Sequence, residues 1–316
     1  APDIRLAAGI LKGWIFDPLL LAVLCVVVLA RAREPKVALR FGVLAIVTGA
    51  AATTVQAIGQ QIFLHQARLQ SGFDSPNTLA MYLVAALVMG LLWLLGGNEW
   101  KKISVRMRVW WVSLLVVLLY GVMGTGSYGA GMAVLVGLGY GFSVAHLSRL
   151  VRSLVISLVV VAGIAMPFVY VQQGSWFGPS HYNATYGLSS GEVRLTLWKY
   201  ATEEILHHPV FGIGLGQWQP MFMARAASDG LLSYRNPGLA IELMHASLFP
   251  HNLWLATWLQ MGLLGVVVFI GLSYISLSAP VALGPFGAPM AGVVMATLIH
   301  GIVDTPLYRN DLSVMW

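Results

Sequence analysis

Long apolar runs separated by short charged clusters dominate this sequence. A helix needs about 20 apolar residues to cross the hydrocarbon core of a bilayer. Eight runs approach that length, and we interpret them as transmembrane helices over Trp14–Ala30, Ala38–Ile62, Pro76–Leu95, Arg108–Met123, Ala130–Ala145, Val151–Val171, Pro250–Ile275 and Phe286–Val303. The pattern predicts an all-α, polytopic integral membrane protein whose residues 1–316 form a single membrane domain.

The basic residues fall on alternate loops of this predicted topology. They follow the first, third and fifth spans, as Arg31, Arg33, Lys36 and Arg40, then Lys101, Lys102, Arg106 and Arg108, then Arg149 and Arg152. The short loops between them hold only Arg68 or no Lys or Arg. Since cytoplasmic loops carry the excess of Lys and Arg, the long segment 172–249 is predicted on the outer face. It is too long for an ordinary connection, and its histidines and cations make it the expected place of a polar site.

The composition agrees with a membrane protein. Hydrophobic residues make up 58% of the chain and charged residues 9%, against about 25% charged in soluble domains. A soluble enzyme and a disordered chain are therefore excluded. A single cysteine, Cys25, excludes a cysteine-based zinc site, and we predict no metal and no other cofactor. The net charge of +6 is explained by the basic clusters on alternate loops. No nucleic-acid partner is therefore predicted. A start at Ala1 and an end at Trp316 are compatible with a fragment of a longer protein.

One outer helix carries an arginine on an apolar stripe. Ser189 and Glu192 match a capping box, and Pro209 cannot continue a helix, so a helix is predicted over Ser190–His207. Helical spacing puts five of its residues on one stripe, namely Arg194, Leu197, Trp198, Ala201 and Ile205. The stripe either aims Arg194 into a site or lets it snorkel to lipid headgroups.

The segment His208–Gly216 contains Gly-x-Gly-x-Gly but follows no strand. It therefore does not match a dinucleotide fingerprint. We expect a flexible turn over the membrane.

His251 lies at the predicted start of the seventh span, after Pro250. Proline suits the first turn of a helix, so His251 is expected in that turn. A positive helix end favours a neutral imidazole and a nearby anion, which suits a histidine base beside a phosphate. The alternative is an interfacial histidine bonded to headgroups or backbone.

His300 and Asp304 are spaced i, i+4 near the outer end of the last predicted span. Ionisable groups inside a membrane usually have a partner. Asp304 is expected either to orient a histidine or to balance an arginine, and the alternative is a helix-end carboxylate in water.

Four stretches together resemble the O-antigen ligase / O-antigen polymerase family of bacterial membrane glycan transferases. They are Asp74–Ala80, Arg194–Gly214 with its Arg-x-x-x-Trp-x-x-Ala and Pro-x-x-Gly-x-Gly patterns, Pro250–Leu253 with Gly262–Gly265, and His300–Asp304. Their order and spacing agree with the family from about Asp74 to Trp316.

The resemblance implies an all-helical, lipid-sugar-dependent (GT-C-like) glycosyltransferase of the bacterial cytoplasmic membrane. The implied donor is a glycan on undecaprenyl pyrophosphate, and the acceptor is a glycan or a lipid A-core-type molecule. Transfer would take place on the periplasmic or external face, beside membrane lipid, without a metal. It also implies that His251 and Asp304 are catalytic and that Arg194 binds pyrophosphate. Supporting roles are predicted for Trp198, Asn252, Asn77, Tyr128 and His300.

Tyr128 is the one departure from the family pattern. Many members carry an arginine in the matching stretch, where it is thought to help hold the pyrophosphate. Four other arginines are candidates to replace it: Arg68, Arg225, Arg235 and Arg309.

Three other functions compete with ligation. A repeat-unit polymerase would use the same chemistry on another acceptor. A transporter or flippase would favour charges near the midplane and symmetric repeats, which the sequence lacks. A haem protein would need histidines deep in paired helices, whereas His146 and His300 lie near predicted helix ends.

Overall fold

The computed structural model describes residues 4–73, 75–95, 103–144, 146–173, 190–231, 248–278 and 287–308. Over these residues the secondary structure is helical, without strands. The helices are α1 (Ile4–Leu11), α2 (Asp17–Arg31), α3 (Pro35–Leu64), α4 (Pro76–Leu95), α5 (Val105–Gly124), α6 (Tyr128–Ser143), α7 (Arg149–Gln173), α8 (Ser190–His207), α9 (Trp218–Ser228), α10 (Leu253–Ser278) and α11 (Gly287–His300).

Four of the described helices are long and apolar enough to cross a membrane, namely α3, α4, α5 and α10. The apolar helix α11 is shorter. The all-helical prediction is confirmed and the bounds of α4 are those predicted, whereas the count of eight spans stays a prediction.

The described chain falls into two compact units. Unit 2 comprises Ile15–Val155, Ser273–His300 and Pro306–Trp316. Its core consists of apolar side chains from α3, α4, α5, α6 and α11. Small residues let these helices approach closely: a Cβ on Gly137 of α6 would lie 2.7 Å from the Cβ of Ala296 on α11. Close packing of this kind takes the place of the hydrophobic effect, which is weak between helices in lipid.

Unit 1 comprises Ala1–Trp14, Ile156–Leu272 and Gly301–Thr305. It contains α8, α9 and the first part of α10, which share one apolar core. The stripe predicted on α8 provides one side of this core, since Leu197, Trp198, Ala201 and Ile205 are all buried. Trp218 and Phe222 of α9 stack on each other at 5.2 Å between ring centroids.

Helix α10 is broken at Gly262, whose φ of 67° and ψ of −167° are not helical. A glycine allows this conformation because it has no Cβ. The segment His208–Gly216 fills the break: Ile213 N–H donates to the Leu259 carbonyl at 2.7 Å, and Leu263 N–H donates to the Val210 carbonyl at 3.0 Å. The backbone groups freed by the break are thus bonded by a loop from the same unit.

The glycine-rich segment is therefore not the flexible turn that the sequence predicted. Gly212 has a φ of 65°, and a Cβ there would lie 2.5 Å from the Leu259 carbonyl oxygen. Trp258 Nε1 donates to the Pro209 carbonyl at 2.9 Å, and Gly216 N–H donates to Gln260 Oε1 at 3.2 Å. The glycines allow two backbones to pack against each other.

Candidate functional site

The start of α10 is joined to the segment that follows α11. Asn252 caps α10, because its Oδ1 accepts from Leu255 N–H at 2.9 Å. Its Nδ2 donates to the Ile302 carbonyl at 2.7 Å, while Leu253 N–H donates to the Gly301 carbonyl at 2.7 Å. These bonds bring Asp304, two residues beyond Ile302, to the side chain of His251.

The backbone of His251 has a left-handed conformation, with a φ of 48°. That conformation costs about 1–2 kcal/mol for a residue with a Cβ. Trp198 Nε1 donates to the His251 carbonyl at 3.4 Å, and this bond helps to hold the conformation. Strained residues persist where the surroundings over-determine them, commonly at functional sites.

His251, Asp304 and Arg194 form the candidate site. His251 Nδ1 and Asp304 Oδ1 are 3.0 Å apart, and Arg194 Nη2 lies 3.9 Å from Asp304 Oδ2. Thr305 N–H also donates to Asp304 Oδ1, at 2.9 Å. The carboxylate side chain is 8% exposed, whereas the Arg194 and His251 side chains are 23% and 27% exposed. The buried Asp304 carboxylate therefore contacts both Arg194 and His251, whose side chains remain partly accessible to solvent.

The predicted bounds of α8 are confirmed, since it runs over Ser190–His207. Ser189 of the expected capping box lies outside the described residues, as does Asp74 of the resemblance. Because the apolar stripe of α8 is packed into unit 1, Arg194 on the same stripe is directed to Asp304. Of the two interpretations of Arg194, the contact with Asp304 favours the one that places it in a site.

One detail of the sequence interpretation is wrong. His251 does not lie in the first turn of a helix: α10 begins at Leu253 with Asn252 as its cap. The asparagine side chain bonds the backbone and favours a cap over continued helix. The last helix, α11, ends at His300, four residues before Asp304.

Three predicted supporting residues belong to unit 2. Asn77 Oδ1 accepts from Arg68 Nη2 at 3.1 Å. Tyr128 begins α6 and is 72% exposed, while His300 ends α11 and is buried. Trp198 and Asn252 belong to unit 1 and contact His251 and its neighbours as described above.

The four arginines considered as substitutes at Tyr128 differ in their surroundings. Arg68 Nε donates to the Thr125 carbonyl, and a Cβ on Gly126 would lie 3.3 Å from that nitrogen. Arg68 thus lies against the turn that precedes Tyr128. Arg225 has carboxylate partners within unit 1, whereas Arg235 and Arg309 lie outside the described residues.

Arg225 is the centre of a second charged cluster. Its Nη1 and Nη2 lie 2.7 Å from Glu204 Oε1 and Glu203 Oε2 respectively. Burial alone would lower the pKa of the Arg225 guanidinium, but the hydrogen bond to Glu204 and the nearby carboxylates raise it above its usual value. Tyr200 donates to Asp229 Oδ2 at 2.6 Å. Burial, and then this bond, raise the pKa of the Tyr200 phenol to about 12.

The two clusters permit different chemistry. A histidine whose Nδ1 donates to a carboxylate presents the lone pair of Nε2 to other groups. The candidate site can therefore accept a proton next to an arginine, and guanidinium binds phosphate oxygens. Among the described residues, no group of three or more His, Cys, Asp or Glu side chains is arranged to hold a metal.

The packing of the segment around Gly212 against the break of α10 at Gly262 was not predicted. Glycines at Pro-x-x-Gly and Gly-x-x-Gly were visible in the sequence, but a contact between two glycines far apart along the chain produces no periodicity. A glycine inside a predicted span is the available signal, because it often marks a close backbone approach.

Comparison with known proteins bears on this site. No curated protein matches the chain. The O-antigen ligase family matches residues 113–270, half of the chain. The matched range includes Arg194 and His251, whereas Asp304 lies beyond it. Together with the apolar helices, the match indicates an integral membrane protein. The chain belongs to the O-antigen ligase family, whose activity is glycan transfer of the ligase or polymerase type.

Proposed function

We propose that this chain transfers a glycan from undecaprenyl pyrophosphate to an acceptor hydroxyl, in the manner of an O-antigen ligase. The observation that carries the proposal is the 3.0 Å contact between His251 Nδ1 and Asp304 Oδ1, with Arg194 Nη2 at 3.9 Å from the same carboxylate. A base and a phosphate-binding cation are the two groups that this reaction requires.

His251 acts as the general base. Asp304 accepts a hydrogen bond from Nδ1–H, so Nε2 is the basic nitrogen, and the carboxylate stabilises the imidazolium once Nε2 has taken a proton. The bond from Trp198 helps to hold the left-handed backbone of His251, and the contact with Asp304 orients its ring. A positioned base of this kind contributes roughly 10²–10⁴ to the rate.

Arg194 binds the pyrophosphate. Guanidinium stays charged and can bond two phosphate oxygens at once. Its contact with Asp304 is long at 3.9 Å, so a phosphate bound at hydrogen-bonding distance can compete with the carboxylate. The interaction strengthens as charge develops on the leaving group, and it therefore accelerates the transfer.

The reaction is a substitution at the anomeric carbon of the donor glycan. The acceptor oxygen forms the new bond to this carbon, and its proton passes to His251 Nε2. The bond between the anomeric carbon and the pyrophosphate oxygen breaks, and undecaprenyl pyrophosphate leaves with the electron pair. Because pyrophosphate is a good leaving group, no general acid is required.

The outer face of the cytoplasmic membrane is the proposed location of the transfer. Basic clusters on alternate loops support a location of segment 172–249, which contains α8, on that face. His251 immediately precedes the apolar helix α10. A lipid-linked donor could then keep its polyprenyl tail in the bilayer while the pyrophosphate meets Arg194. The acceptor is a glycan or a lipid A-core-type molecule.

The products of a reconstituted reaction test the proposal. Purified protein is incubated with undecaprenyl-pyrophosphate-linked glycan and candidate acceptors. One discrete product per acceptor is expected of a ligase. A ladder of lengthening lipid-linked glycans would instead assign the protein as a polymerase, the alternative within the family. Absence of any glycan transfer would contradict the proposal and favour a transporter.

The variant His251→Ala ties that activity to the site. It should reduce transfer roughly 10²–10⁴-fold, with normal amounts in the membrane. His207→Ala is the matched control: this exposed histidine ends α8, and its loss should leave transfer unchanged. Wild-type transfer by His251→Ala would remove the mechanism.

A further inference from the structure

Beside the break in α10, unit 1 exposes an apolar surface that the proposed reaction does not use. We call it the loop tip, and it consists of Val210 and Phe211. Their exposed fractions are 53% and 86%. Phe211 is thus almost fully exposed although its backbone packs against Gly262.

The loop tip is continuous with the exposed apolar face of α10. Leu263 and Leu264, directly after the break, are 48% and 73% exposed, and Val267 and Val268 follow one turn later at 58% and 51%. Because α10 has the length and composition of a membrane span, this face is expected to contact lipid. Leu263 N–H donates to the Val210 carbonyl, so the loop tip lies beside that face.

The position of the break along α10 gives the depth of the loop tip. Gly262 is the tenth of 26 residues in α10, about 14 Å from its start at 1.5 Å per residue. The whole helix is about 39 Å long by the same measure, and the hydrocarbon core is about 30 Å thick. With α10 centred in the bilayer, the break lies inside the hydrocarbon rather than at its edge.

Several backbone groups of the loop meet the condition that lipid imposes on irregular backbone. Inside hydrocarbon, polar backbone groups must be bonded within the protein. Pro209 has no N–H, and its carbonyl accepts from Trp258 Nε1. The Gly212 and Ile213 N–H groups donate to the carbonyls of His208 and Leu259. Trp258 precedes the break and lies close to the start of α10. This position suits a tryptophan at the membrane interface.

We infer that the loop tip enters the bilayer and that Val210 and Phe211 contact acyl chains. The occupant of this surface is the hydrocarbon of membrane lipid. The loop therefore anchors the α8–α9 layer to the membrane from within unit 1, independently of the reaction proposed above.

Lipid-phase quenching of a fluorophore tests the inference. In a Cys25→Ser background, Phe211→Cys and, separately, Val210→Cys are labelled with an environment-sensitive fluorophore. The full chain is reconstituted in phosphatidylcholine nanodiscs with or without nitroxide-labelled acyl chains. Leu264→Cys on the lipid face is the positive control. Ala227→Cys, exposed between Arg225 and Asp229 on α9, is the aqueous control.

Both loop-tip labels should show blue-shifted emission. Nitroxide-labelled lipid should quench them as strongly as it quenches the Leu264→Cys label. Iodide in the water should quench them as weakly as it quenches that label. The Ala227→Cys label should behave in the opposite way. Iodide quenching of both loop-tip labels would place them in water and overturn the inference. Protection from both quenchers would also overturn it, since protein would then cover the surface.

Discussion

Unit 1 contains two arginines with carboxylate partners, and the geometry of the two clusters differs. Arg225 uses both terminal nitrogens on two different glutamates, each at 2.7 Å. Arg194 approaches one aspartate at 3.9 Å, and that aspartate also contacts His251 at 3.0 Å. Arginine and carboxylate side chains thus form a close ion-pair cluster in one place, and a cluster with a longer arginine contact and a histidine in the other. The comparison leads us to expect that Arg225 contributes to stability, and it supports the proposed role of Arg194 in binding substrate.

The largest expected effect separates the two arginines by activity. Arg194→Ala should reduce glycan transfer about 10²–10³-fold, as expected for loss of one transition-state contact to the leaving group. Arg194→Lys should recover only part of the rate, because an ammonium cannot bind phosphate as a planar fork. Transfer is measured at equal amounts of folded protein.

Lys199→Ala is the matched control for Arg194, since Lys199 is an exposed cation on the same helix. Its transfer rate should equal that of the wild type. If Arg194→Ala also transferred normally, the assignment of Arg194 to the substrate would be wrong.

The next effect concerns stability. Arg225→Ala leaves Glu203 and Glu204 without their common cation, and Glu204 has a side chain only 12% exposed. We expect a loss of about 1–3 kcal/mol in the free energy of unfolding, measured by thermal or denaturant unfolding in detergent. Arg225→Lys should lose less. Transfer per folded molecule should stay near wild type, and a loss of transfer at unchanged stability would reverse the comparison.

The smallest effect is a pH dependence in the Arg225 cluster. The pKa of Tyr200 is about 12 in the folded chain, against 10.0 ordinarily. Its neutral form is therefore favoured by folding, so this contribution is complete below pH 10 and is lost as the pH rises towards 12. Tyr200→Phe should be less stable at neutral pH by about 1 kcal/mol and should lose less stability between pH 10 and 12. An identical alkaline loss in both proteins would assign the effect to other groups.

Local signals in the sequence predicted local structure well. The bounds of α8 followed from a capping box at its start and a proline after its end, and those of α4 from a proline and a continuous apolar run. These signals act within a few residues, so one segment is enough to recognise them.

Long-range backbone contacts were not predictable in this way. The break at Gly262 depends on a loop fifty residues earlier in the chain. The position of Asp304 depends on bonds from Asn252 and Leu253 to the carbonyls after α11. The candidate residues were identified through the family resemblance and the rarity of ionisable groups near spans, whereas their convergence on one carboxylate is visible only in the fold.

The most direct test of the central claim is a comparison of transfer rates for Asp304→Asn in two backgrounds. If Asp304 acts by orienting His251, the asparagine should slow the wild type by about 10² or more, since the imidazole then presents the wrong tautomer. The same change should hardly alter the residual rate of His251→Ala. An equal slowing of both backgrounds would contradict the account, because Asp304 would then act without the histidine.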